Sequence, residues 1–157
     1  MGSGFRLGSV TRMVRPIPEE ALQQLSNAVL SGRGLTANFP AALRDLPGDL
    51  TIFLAETEFV SFASPFNENS KQVVAIRGIS FSPMNLPNVP RNVIAHELGH
   101  AIGLRHNADP TTLMCGRPQP CRPALFRSDQ PRMFPLTGDE KRRLLTMYPS
   151  QWKPHSR

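Results

Sequence analysis

An α+β fold is the reading of this 157-residue sequence, and three observations carry it. Residues 19–30 and 138–148 repeat apolar side chains at the helical period, so each forms an amphipathic helix. Asp49–Ala55 and Gln72–Ile76 are short apolar runs rich in β-formers, which reads as buried strands. The length and the ordinary apolar content suit one domain around one usable core.

In chain order, residues 1–9 are rich in Gly and Ser and read as a mobile tail. They show no continuous apolar core of a secretory signal. Val10–Arg15 is a candidate first strand. Pro16 to Pro18 lead into the helix Glu19–Leu30, whose Ala21, Leu22, Leu25, Ala28 and Val29 share one stripe. Glu19 and Glu20 sit favourably in its first turn, and Gly32 ends it. After Asp49–Ala55 comes a polar loop with Pro65-Phe66-Asn67-Glu68-Asn69-Ser70 at its tip. Gln72–Ile76 and Ile79–Phe81 read as two strands separated by Gly78. Asn88 is placed to cap a helix running through His100, with Pro90 in its first turn. In the closing helix Thr137 and Glu140 have capping-box spacing, and Leu144, Leu145 and Tyr148 make an apolar stripe. Residues 149–157 read as a second tail, which leaves 10–148 as the domain.

The formal charge of +6 belongs to surface and partners rather than to fold. No apolar run reaches the roughly 18 residues of a membrane span. Sixteen prolines imply long irregular connections between short elements. Arg117, Arg122, Arg127 and Arg132 recur in a Pro-broken stretch. A solvated basic loop is the plain reading, and an acidic or nucleic-acid partner the sharper one. Aromatic interleaving is sparse there, with only Phe126 and Phe134 nearby, which weighs against nucleic acid.

The chemistry concentrates in His96-Glu97-Leu98-Gly99-His100-Ala101-Ile102-Gly103-Leu104-Arg105-His106. His96 and His100 are four apart, so on a helix both project from one face. Gly103 permits a left-handed helix stop, after which the chain can return His106 as a third ligand. Three His leave the fourth tetrahedral position open, as in a catalytic zinc site holding one ion. Glu97 is placed to act as general base on a water. Two histidines and a Glu alone could be a solvated helix face, but five fixed positions weigh against that.

After His106, Asn107-Ala108-Asp109-Pro110-Thr111-Thr112-Leu113-Met114 resembles the matrixin branch of the metzincins. Met114 falls at that family's Met-turn. The resemblance implies a zincin fold: a twisted, mostly parallel mixed sheet with an antiparallel edge strand, an active-site helix and a small C-terminal subdomain. It implies a zinc metalloendopeptidase, a peptide or protein substrate, a monomer and a secreted protein. By position it makes Gln72–Ile76 the edge strand that pairs with substrate, so Val73, Val74 and Ala75 are candidate contacts. An edge strand without that role is the alternative. Arg117 and Pro118 would wall the pocket.

The chain also departs from the pattern. It has four His, of which three are used and His155 lies in the tail, so a second, structural zinc is not expected. Calcium at Glu56, Glu58, Asn67 or Glu68 lacks a spaced acidic loop. Asn107 stands where Ser or Thr is usual, a change expected to leave the metal unaffected. Cys115-Gly116 stands for Tyr-Pro, and residues 117–135 form a longer loop, so substrate preference does not carry over. Cys115 and Cys121 are open to three states: a disulfide, two free thiols, or a thiolate on the open zinc position. The bends at Gly116, Pro118 and Pro120 favour the disulfide. Two rival functions stand beside the peptidase. One is a basic intracellular metalloprotease acting on nucleic-acid-associated proteins. The other is a non-catalytic zinc module, which would have no need of Glu97.

Overall fold

A computed structural model describes residues 8–14, 17–32, 48–66, 71–116, 121 and 132–153. Its elements are α1 (Glu19–Leu30), β1 (Leu50–Leu54), β2 (Phe62–Phe66), β3 (Lys71–Ile76), α2 (Val89–Ala101) and α3 (Gly138–Met147). The strands form one mixed sheet in the order β1-β3-β2, parallel between β1 and β3 and antiparallel between β3 and β2. This is an α+β architecture.

β3 decides the layering. Its Val73 and Ala75 face α1, where Leu22, Leu25, Phe53 and Phe62 complete one apolar cluster. Val74 and Ile76 point the other way and pack with Met84 and Val89 beside α2. A strand covered on both faces reads as an unbroken apolar run, which is why Gln-Val-Val-Ala-Ile shows no polar alternation. On α1 the predicted stripe is buried at Leu22 and Leu25. Ser26 is buried with them and donates its hydroxyl hydrogen to Val60 O at 2.9 Å. Gly32, at φ 73°, follows the helix.

Several expectations are corrected. Residues 10–14 form no strand; Val10 and Val14 are 75% and 92% exposed, and no strand among the described residues pairs with them. Ile79–Phe81 is a series of turns, closed by Phe81 N–H to Gly78 O and Met84 N–H to Phe81 O. Gln72–Ile76 is not an edge. It lies in the centre of the sheet, hydrogen-bonded on both sides, so Val73, Val74 and Ala75 have no free backbone to offer a substrate. The antiparallel edge is β2, inside what reads as a polar loop. Pro65 within it fits an edge position, because Pro cannot donate to a central ladder. Finally, Leu145 is 42% exposed, while Leu144 alone of the pair packs inward.

The C-terminal segment is tied to α2 by two asparagines. Asn88 precedes the helix, but its side chain does not cap it. Its Oδ1 instead accepts from Arg132 N–H at 2.7 Å. Buried Asn92 donates to Asn88 O and to Arg132 O, each at 2.6 Å, and accepts from Phe134 N–H at 2.9 Å. Phe134 then enters a third cluster with Leu104, Leu113 and Met114. α3 starts with the capping box formed by Thr137 and Glu140. Tyr148 closes the packing by donating its hydroxyl hydrogen to Ile102 O at 3.1 Å.

Asn92→Ala leaves Arg132 O and Phe134 N–H short of partners inside the protein. We expect it to lower unfolding free energy by about 2 kcal/mol in urea titration, the scale of one buried and one half-buried group left without Asn92. A loss under about 1 kcal/mol would mean that the clamp is not structural.

Candidate metal centre

Asn88, Asn92, His96 and His100 recur every four residues, so one face of α2 carries the clamp at one end and two imidazoles at the other. Beyond α2 the chain reverses. Gly103 takes φ 95°, and a β-carbon there would collide with the Met147 methyl of α3. Leu104 N–H returns to Gly99 O at 2.9 Å, and His106 follows two residues later.

The three Nε2 atoms meet in a near-equilateral triangle: 3.1 Å from His96 to His100, 3.0 Å from His100 to His106 and 3.2 Å from His96 to His106. Their protonation follows from the opposite side of two rings. His96 Nδ1 lies 2.7 Å from Leu113 O, and His100 Nδ1 lies 2.9 Å from Leu104 O. A carbonyl only accepts, so each Nδ1 carries the hydrogen and each Nε2 presents a lone pair. Lone pairs aimed at one another repel, and a cation between them removes the conflict. Nitrogens about 2.05 Å from a tetrahedral ion lie about 3.3 Å apart, close to the triangle here. The donor set therefore fits a small divalent metal. Among the described residues it is the one cluster of three suited to that role.

Electrostatics favour the same state. Partial burial of the ring, then repulsion from His100 whenever that ring is protonated, lowers the His106 pKa below its ordinary value, which favours the neutral, ligating form. Glu97, 8% exposed, sits next to the first ligand. Burial pushes its pKa up to about 7, and the backbone N–H of Ala63 on β2 opposes that rise by holding the carboxylate.

Met114 is fully buried beneath the site. A β-carbon on Gly99 would lie 2.5 Å from its sulfur, so the Gly of the motif makes room for the Met side chain. Gly116 has a comparable role at His106, where a β-carbon would overlap the imidazole ring. Cys115, between Met114 and Gly116, is bonded to Cys121. No described cysteine is free.

Of the other candidates, Val73, Val74 and Ala75 lie in the sheet centre, away from any free edge. Arg117 and Pro118 lie outside the described residues, as do Asn67 and Glu68. Glu58 is ion-paired with Arg77 at 2.9 Å. Arg132 is fixed by its backbone, and its guanidinium lies 5.2 Å over the Phe134 ring. Several contributors had no warning in the sequence. Ala63 is an ordinary residue in an unrecognised strand. Glu140 was visible only as a helix cap, and Asn107 only as a substitution of no consequence. Gly99 and Gly116 did carry a signal, since each is a small residue beside a ligand or the Met.

The model of a family described as dual-action HEIGH metallo-peptidase matches residues 55–118. Over that span the chain is similar to a metallopeptidase. The match takes in β2, β3, α2, the three His, Glu97 and Met114, and here the five letters read His-Glu-Leu-Gly-His, with Leu98 in the middle. No curated protein and no solved structure matches the chain.

The raised Glu97 pKa has a consequence for stability. Burial favours the protonated acid, so stability is intact below the ordinary value of 4.5 and declines as pH rises through about 7. In metal-free protein the cost above neutral pH is on the order of 3 kcal/mol. Glu97→Gln removes it. Urea titrations should show the variant gaining about 3 kcal/mol on wild type between about pH 5 and pH 8. An advantage that does not change with pH would contradict this assignment.

Proposed function

We propose that this chain is a zinc-dependent endopeptidase of matrixin-like metzincin design, cleaving extended peptides. The observation that carries the reading is the triangle of three imidazole nitrogens with a buried carboxyl beside it. The family match supports the peptidase class, and the likeness to matrixins rests on residues 96–114. Zinc held by His96, His100 and His106 supplies Lewis-acid activation of a water and of the scissile carbonyl.

Glu97 performs the proton transfers. As a carboxylate it takes a proton from the attacking water, and as an acid it returns that proton to the leaving amine. The Ala63 N–H holds the carboxyl in place, and the imidazole tautomers are held by Leu104 O and Leu113 O. Met114 closes the site from below.

Substrate placement follows from β2. Ala63 pairs with Val74 of β3, and its backbone N–H is close enough to lower the Glu97 pKa, so Glu97 sits beside β2. An extended peptide laid along this edge is delivered to the metal, with backbone hydrogen bonds supplying affinity. The substrate strand is thus β2 rather than β3.

Zinc analysis and a quenched-peptide library test the proposal together. Purified protein should carry one zinc per chain and cut internal bonds. A chelator should stop the cleavage and added zinc restore it. Glu97→Ala should keep the zinc while losing hydrolysis by several orders of magnitude, because Glu97 is a base and not a ligand. Zinc-loaded protein that cuts no peptide, or cleavage that survives Glu97→Ala, would overturn the proposal.

A further inference from the structure

His106 is the one ligand not carried by α2, and it is exposed. Its position depends on the residue that follows it. The backbone of Asn107 is fixed by the Met-turn: its N–H donates to Met114 O at 2.9 Å, and its carbonyl accepts from Gly116 N–H at 3.2 Å. Its side chain is fixed as well. Oδ1 accepts from Asp109 N–H at 2.8 Å. Nδ2 donates to Thr112 Oγ1 at 2.9 Å and to Glu140 Oε1 at 2.7 Å.

The last of these bonds crosses 33 residues to α3. Glu140 is buried, and its second oxygen accepts from Thr137 N–H at 2.7 Å. One carboxylate therefore closes the cap of α3 and grips the residue beside the third metal ligand. A cap alone has no need to be buried or to reach Asn107. A carboxylate accepting an amide N–H inside a protein also makes a stronger bond than a neutral pair would.

We propose that Asn107 is a positioning residue for the metal site, anchored by Glu140 so that His106 completes the nitrogen triangle. This rests on the reading of the three histidines as a zinc site. α3 thereby acts on zinc affinity through an outer-sphere hydrogen bond, although it supplies no ligand.

The test uses the full metal-free chain, titrated with zinc against a chromophoric chelator. Asn107→Asp sets two carboxylates face to face. Glu140→Gln turns an amide group toward the Asn107 amide, or else toward Thr137 N–H. Each single change should weaken zinc binding roughly 10- to 100-fold, the range for lost outer-sphere partners. The double variant restores the bond with its polarity reversed. The introduced carboxylate accepts from the introduced amide, whose oxygen still accepts from Thr137 N–H, and Gln serves in a capping box as Glu does. Its affinity should return to within about threefold of wild type, the mark of a direct pair. Thr137→Ala is the control. It removes the hydroxyl that accepts from Glu140 N–H, so it should lower the melting temperature and leave zinc affinity unchanged.

Singles that bind as tightly as wild type would overturn the proposal. So would a double variant as weak as the singles, or a Thr137→Ala loss as large as theirs. Recovery in the double decides the case even if a single variant fails to fold. Wild-type protein that takes up no zinc would instead bring down the metal reading itself.

Discussion

Two backbone carbonyls, Leu104 O and Leu113 O, set the chemistry of this molecule. By taking the Nδ1 hydrogens of His100 and His96, they force both Nε2 lone pairs toward the same point. The arrangement is unfavourable alone and favourable around a cation. Neither carbonyl is in place by accident. Leu104 O is delivered by the reversal at Gly103, where the left-handed backbone suits Gly. Leu113 O comes from the turn before Met114, where Leu113 N–H is bonded to Pro135 O at 2.8 Å. The tautomers thus depend on a turn and on the path of the C-terminal segment.

That path is set by polar contacts rather than by apolar burial alone. Asn88 and Asn92 fix residues 132–134 against α2, and Glu140 fixes Asn107 against α3. Buried polar groups of this kind hold geometry firmly when every partner is present and are costly when one is lost. Three close approaches complete the packing. Gly99 admits Met114, Gly103 admits Met147, and Gly116 admits the His106 ring. The small residues let the elements touch, and the hydrogen bonds choose how.

The three histidines of the candidate site were legible in the sequence because their spacing is local. His96 and His100 share a helix face by period alone, and Gly103 announces the reversal that returns His106. Thr137 and Glu140 were readable as a capping box for the same reason. The sheet order was not readable. β3 looks like an edge strand only when its neighbour β2 is taken for a loop, and β2 hides because Ala63-Ser64-Pro65 carries weak β preference. Val10–Arg15 has the opposite defect, strand-like composition with no partner strand among the described residues beside 10–14. Leu145 fits the helical stripe by period, but no described residue buries that side of α3. Asn92, Asn107 and Glu140 escaped because their partners lie 33 to 42 residues away. Long-range hydrogen bonds leave no periodic trace.

X-ray absorption at the zinc edge of the loaded protein tests the central claim most directly, since it reads the atoms around the metal. The account predicts three imidazole nitrogens and one further light atom, each about 2.0–2.1 Å from zinc. A sulfur shell near 2.3 Å would place a cysteine on the metal, and fewer than three imidazoles would break the triangle. Either result would contradict the account.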